Sequence, residues 1–230
     1  IELTDTHGPE GLALLNGEIY TATREGWILK YSEASGEISK MANTNGSPLG
    51  LVFDANGNLL IADAYKGILS MSADGELTVL TNSIDGVAIE YADDLDVTED
   101  GKIYFSDASS KFGAQANGGT YAASLLDIAE HGSHGRLLVY DPTDQSTKLV
   151  MDDLNFANGV ATAADSSFVL VNETGTYRVQ KYWLKGDKAG TAEVLIDNLP
   201  GFPDNIVRGR DGRFWVGLVS PRSQPLDDLS

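Results

Sequence analysis

The sequence predicts an all-β protein of the β-propeller class, and three observations carry that reading. Short runs rich in Val, Ile, Leu, Tyr and Phe lie between Gly, Asn and Asp turn signals, the pattern of successive strands. One such run recurs: with Tyr20, Leu60, Tyr104, Val169 and Trp215 as matched positions, the intervals are 40, 44, 65 and 46 residues. Three of the four agree with the length of a four-stranded blade, and a sandwich does not repeat at a fixed period this long.

The elements follow in chain order. The first copy of the recurring strand is GEIYTAT (17–23). The next four each follow a turn at once: NLLIAD (58–63) after Asp54-Ala55-Asn56-Gly57, KIYFSD (102–107) after Glu99-Asp100-Gly101, SFVLVNE (167–173) after Ala164-Asp165-Ser166, and RFWVG (213–217) after Arg210-Asp211-Gly212. Asp, Asn and Gly at these points supply side-chain acceptors and left-handed backbone, which tight turns need. Hairpins then complete each blade toward the rim: GWILKYSEASGEISKMA, GILSMSADGELTVLT, GRLLVYDPTDQSTKLVM and YRVQKYWLKGDKAGTAEVLI. The long interval contains residues 111–134, KFGAQANGGTYAASLLDIAEHGSH, expected to be a loop insertion in the third blade, with one or two helical turns at LLDIAEH and a placement over one face. The sequence ends just after the fifth recurring strand. The repeat count therefore predicts one domain over 1–230, an incomplete six-bladed propeller of about five units that lacks its C-terminal blades.

Composition narrows the function. Sixteen basic against 34 acidic residues give a net charge of −18, which repels nucleic acid phosphate and anionic lipid. With no cysteine there is no disulfide, thiol nucleophile, iron–sulfur cluster or Cys-ligated zinc. No apolar run approaches a membrane-spanning length of about 18 residues. Neither compartment nor oligomeric state follows from these features.

Propellers bind ligands where the loops entering the innermost strands converge. Those loops read HGPEG (7–11), GSPLG (46–50), YADDLDV (91–97), FANGV (156–160) and FPDNI (202–206). Four of the five carry a carboxylate or carboxamide: Glu10, Asp93 or Asp94, Asn158, and Asp204 with Asn205. A rotational fold brings these equivalent positions onto one axis. All-oxygen ligands suit a hard divalent cation, calcium first, with manganese or magnesium as alternatives. Taken singly, each loop is equally well read as a turn rich in Asn and Asp. Asp63 and Asp107, at the ends of recurring strands, read first as structural. His7, His131 and His134 read as loop histidines without an evident partner, and Ser109 and Ser110 lack the context of a serine nucleophile.

Several stretches resemble the strictosidine synthase-like family, in its adipocyte plasma membrane-associated protein branch: ADAYKG (62–67), YFSDASSKF (104–112), GRLLVYDPTDQSTKLVMDDLNFANGV (135–160), FVLVNETGTYRVQKYWLKG (168–186) and LPGFPDN (199–205). More distantly the chain is similar to SMP-30/gluconolactonase and paraoxonase propellers. The resemblance implies six blades and, in the hydrolytic branches, a calcium or other divalent ion on the axis. It implies Glu10, Asn158, Asp204 and Asn205 as metal-site residues, with Asp204 also the general base or nucleophile. Asp93 stands where many relatives have asparagine, which leaves the third ligand less certain. The implied activity is hydrolysis of a small-molecule lactone or aryl ester. The alternatives are the amine–aldehyde condensation that names the family and a non-catalytic ligand-binding propeller.

Overall fold

The computed structural model describes residues 7–224. Four four-stranded antiparallel sheets follow one another along the chain, each with its strands side by side in sequence order. The first contains β1 (Leu12–Leu15), β2 (Glu18–Ala22), β3 (Trp27–Ser32) and β4 (Ile38–Asn43). The second contains β5 (Pro48–Phe53), β6 (Leu59–Asp63), β7 (Gly67–Met71) and β8 (Leu77–Thr81). A small hairpin, β9 (Ser83–Ile84) and β10 (Val87–Ala88), precedes the third sheet of β11 (Ala92–Val97), β12 (Ile103–Asp107), β13 (Gly135–Asp141) and β14 (Ser146–Leu154). The fourth contains β15 (Ala157–Thr162), β16 (Phe168–Glu173), β17 (Arg178–Trp183) and β18 (Ala192–Ile196). A two-stranded sheet, β19 (Gly201–Arg208) with β20 (Phe214–Pro221), follows.

The recurring strands of the sequence are β2, β6, β12, β16 and β20, each second in its sheet. Their unbroken apolar character has a packing cause. Side chains alternate across a strand, so a strand buried on both faces must be apolar throughout. In β6, Leu59 and Ile61 pack with Ala22 and Ile28 of the first sheet, whereas Leu60 and Ala62 pack with Leu95 and Phe105 of the third. In β12, Tyr104 turns to Val160 and Val171 of the fourth sheet. Leu170 of β16 meets Ile206 of β19. The core is thus a series of face-to-face layers between consecutive sheets, which is propeller packing. The first strands β1, β5, β11, β15 and β19 lie against one another in that order around the axis.

The segment between β12 and β13 holds a helix, α1 (Thr120–Glu130), of 11 residues. That is about three turns rather than one or two. Gly118 and Gly119, directly before its first turn, mask the start of the helix in the sequence, where only LLDIAEH reads as helical. Ala123 of α1 packs with Tyr91, Ala108, Ala114 and Phe156, beside the loops that enter β11 and β15.

Candidate metal and active site

The first strands share a local irregularity. Pairing with the second strand breaks between Pro48 and Leu51, Ala92 and Leu95, Ala157 and Val160, and Pro203 and Ile206. Each bulge leaves two residues out of register and re-aims their side chains, a device common beside functional sites. The displaced pairs are Leu49-Gly50, Asp93-Asp94, Asn158-Gly159 and Asp204-Asn205. Glu10-Gly11 holds the corresponding place before β1. Every residue expected at the site except Glu10 therefore lies at such a bulge, and the second sheet contributes only Leu49 there. Glycine at the second position permits close approach: a Cβ on Gly159 would sit 2.4 Å from the Asp204 carbonyl oxygen, and one on Gly50 would sit 2.5 Å from Asp94 Oδ1.

The side chains meet across the axis. Asn205 Nδ2 donates to Glu10 Oε1 at 2.9 Å, joining loops 195 residues apart, and Asn158 Nδ2 donates to Asp204 Oδ1 at 2.7 Å. Glu10 is only partly buried as a whole, yet its Oε2 is shut off from solvent and has no hydrogen-bond partner; the same holds for Asn158 Oδ1. Asp93 and Asn158 are almost wholly buried, and Asp204 partly so.

The electrostatics are one-sided. Burial raises Glu10 to about 7, against the hydrogen bond from Asn205, and the nearby Asp204 carboxylate adds to the rise. Burial holds Asp93 well above the ordinary carboxylate range, reinforced by Glu10, Asp204 and Asp94. Asp204 is raised by burial against the Asn158 donor. Among the described residues, no Lys or Arg is among the groups that shift these three acids. Buried carboxylates that repel one another must take up protons or a cation. Among the described residues no group of three or more His, Asp or Glu side chains could by itself hold a metal ion. Any ion here would depend on the carboxamides as well as the acids.

Asp93 and Asp94 differ in their partners. Asp94 Oδ2 accepts from the Val160 amide at 2.8 Å and its own amide donates to Ser106 Oγ at 3.0 Å, so it ties the third sheet to the fourth. Asp96 does likewise, accepting from the Thr162 amide at 2.7 Å and Thr162 Oγ1 at 2.9 Å. Asp93 makes no such tie, and the Glu10 and Asp204 carboxylates act on it electrostatically.

Other residues escaped sequence reasoning. Asn172, fully buried on β16, donates through Nδ2 to the Asp204 carbonyl at 2.5 Å, and Thr174 Oγ1 donates to the Pro203 carbonyl at 2.7 Å. Both fix the loop that carries Asp204. Glu173 belongs with Asp63 and Asp107 in one recurring role. Each is fully buried at the end of a second strand and accepts the amide hydrogen of a residue in or just before the inward loop that enters the first strand of its own sheet: Ser47 to Asp63 at 2.9 Å, Tyr91 to Asp107 at 3.1 Å, and Asn155 to Glu173 at 3.0 Å. Arg136 pairs with Asp107, and Arg178 with Glu173. The signal for Glu173 was its place in the repeat, hidden by the change from Asp to Glu. His7 is exposed and pairs with Glu25, Nδ1 to Oε1 at 2.7 Å; His134 sits edge-on to Phe112, with Nε2 3.8 Å from Glu130.

Two cavities lie among the described residues, neither lined by Glu10, Asp93, Asn158, Asp204 or Asn205. One of about 330 Å³ runs along the first strands, lined by Leu12, Leu51, Asp94, Val160 and Arg208 among others. The other, of about 380 Å³, lies under residues 113–116 against Tyr65, Ile89 and Glu90.

A family profile described as strictosidine synthase matches residues 93–187, and one described as the strictosidine synthase-like N-terminal region matches residues 1–31. The chain is 37% identical over 221 residues to strictosidine synthase-like protein 6 of Arabidopsis thaliana, an alignment covering 93% of this chain and 57% of that protein. It is 36% identical over 245 residues to human adipocyte plasma membrane-associated protein, covering 97% and 57% respectively. The chain belongs to the strictosidine synthase-like family. It spans about half the length of the curated family members it matches. Among solved structures, a gluconolactonase from Xanthomonas campestris superposes with a TM-score of 0.74 at 21% identity, over 91% of this chain and 69% of that one. A calcium-binding regucalcin from Agrobacterium tumefaciens gives 0.67 at 18% identity, over 90% and 66%. At such identities the likeness is one of fold. Among the described residues of this family member, no helix is long and apolar enough to cross a membrane.

Proposed function

We propose that the protein is a metal-dependent hydrolase of small-molecule lactones or aryl esters, with a divalent cation, calcium first, held on the propeller axis. The observation that carries the reading is the pair of buried, unpartnered oxygens, Glu10 Oε2 and Asn158 Oδ1, within a set of acids on which no Lys or Arg among the described residues acts. A buried acceptor without a donor costs about 1–3 kcal/mol, and a hard cation is the partner suited to several oxygens at once. Glu10, Asp93, Asn158 and Asp204 would hold the ion, with the Asn205 carboxamide oxygen available beside Glu10. Bound there, the ion would supply Lewis acidity toward a carbonyl oxygen.

The chain's own residues supply the rest. Asp204 is oriented twice, by Asn158 at its carboxylate and by Asn172 at its backbone carbonyl. Its raised proton affinity suits a general base. Water attacks the acyl carbon and gives its proton to Asp204; the acyl C–O bond breaks, and the leaving alkoxide or phenoxide takes that proton. The gluconolactonase and calcium-binding neighbours support this reading by fold likeness.

The test is turnover of a lactone and of an aryl ester by Asp204→Asn, with calcium affinity measured alongside. A fall of about a hundredfold or more in turnover, with the fold kept, is the expected result. Undiminished turnover would remove Asp204 from the mechanism.

A further inference from the structure

Tyr91 stands two residues before Asp93 and is buried, with 3% of its surface exposed. Its hydroxyl donates to the carbonyl of Thr120, the first residue of α1, at 2.8 Å. The ring meets Phe156 edge to face, with centroids 5.4 Å apart; Phe156 in turn stands two residues before Asn158. One side chain thus touches the helix at its outer end and belongs, through its backbone, to the loop that presents Asp93.

The helix itself is lightly held at its start. Gly118 and Gly119 precede it with φ of 84° and 110°, and Gly119 at the N-cap offers no side-chain oxygen. His131 closes it in the left-handed conformation at φ 57°. Farther along, Asp127 accepts from Ser109 Oγ at 2.5 Å and Glu130 pairs with Lys111. The N-terminal turn has Tyr91 and the packing of Ala123, while Tyr121 is 72% exposed. Order at this turn therefore depends on where Tyr91 is held.

We propose that Tyr91 is a positioning residue that couples cation occupancy of the axial oxygen cluster to the order of α1. The proposal rests on the cation reading above. Capture of Asp93 by an ion fixes the loop 91–94, the fixed loop holds the phenol, and the phenol holds the Thr120 carbonyl. By linkage, anything that orders α1 tightens cation binding by the same factor.

Amide hydrogen exchange of residues 120–126, with and without calcium, tests this, with calorimetry measuring calcium binding to the same samples. In the wild type, calcium should slow exchange about fivefold or more, the lower end of ordinary coupling. Tyr91→Phe should bind calcium yet lose that dependence, and Phe156→Leu, which removes the ring bracing the phenol, should weaken it. Ser109→Ala should speed exchange in both conditions while the calcium dependence persists. Calcium that binds without protecting α1, or a dependence that survives in Tyr91→Phe, overturns the coupling alone. Absence of calcium binding overturns the cation reading and the coupling with it.

Discussion

At the scale of single residues, the axial cluster is an arrangement of acids kept apart by amides. Asn205 faces Glu10 and Asn158 faces Asp204, so each carboxylate has one oxygen satisfied by an N–H donor. A lone turn-forming asparagine needs no such partner across nearly 200 residues of sequence, and this pairing is what lifts the loops above ordinary turns. Glu10→Gln should therefore act in opposite directions on two measurements. Without metal at pH 8 it removes a buried charge and should raise unfolding free energy by about 1–3 kcal/mol in a denaturant titration. Calcium affinity should fall about tenfold or more by calorimetry. A variant less stable and equally able to bind calcium would contradict both halves of the argument. The phased loops were legible in the sequence down to the residue number. The division of labour between Asp93 and Asp94 was not, because adjacent residues in a bulge are separated only by what each one faces.

At the scale of elements, the inward loops are placed by two repeated devices. One is the bulge in the first strand; the other is the acid at the end of the second. Asp107 is buried against Arg136 and accepts from Tyr91, so it fixes the loop that carries Asp93. Arg136→Met would leave that carboxylate without its countercharge and should cost about 3–5 kcal/mol of stability, read from the shift of a urea midpoint. Gly159→Val addresses the other device. Its side chain would collide with the Asp204 carbonyl and push β19 from β15, so calcium binding and thermal stability should fall together. Retention of both would mean that the close approach is dispensable. The helix belongs to this scale as well. Its existence was half visible in LLDIAEH, but its length was masked by the glycines before it, and its docking depends on Ala123 and Tyr91, separated by a whole strand and loop.

At the scale of the molecule, stability should depend on pH and cation together. Burial raises Glu10 to about 7 in the fold, above the ordinary carboxylate range, and Asp93 and Asp204 are likewise raised. A raised carboxylate binds more protons folded than unfolded, so its contribution is full below the unfolded value and is lost as pH rises through the folded one. Metal-free protein should accordingly lose thermal stability between about pH 4.5 and 7 from this cluster. Saturating calcium should flatten the decline, because the ion replaces the protons, and binding should release protons measurable in buffers of different ionisation enthalpy. A melting temperature that rises through this window without calcium would show that the cluster does not govern it. The net charge of −18 works in the same direction, drawing cations toward an acidic surface.

The sequence by itself determined the propeller class, the order of its strands and the loops that enter its first strands. It could do so because turn chemistry and the two-residue alternation of strands are local, and a blade repeats them at a readable period. Only the tertiary structure decided which acid faces which amide, that Asp63, Asp107 and Glu173 serve the loops rather than the axis, and that Tyr91 ties the site to α1. Those are contacts between residues from 16 to 195 positions apart, set by the close packing of neighbouring blades, and no local pattern encodes them.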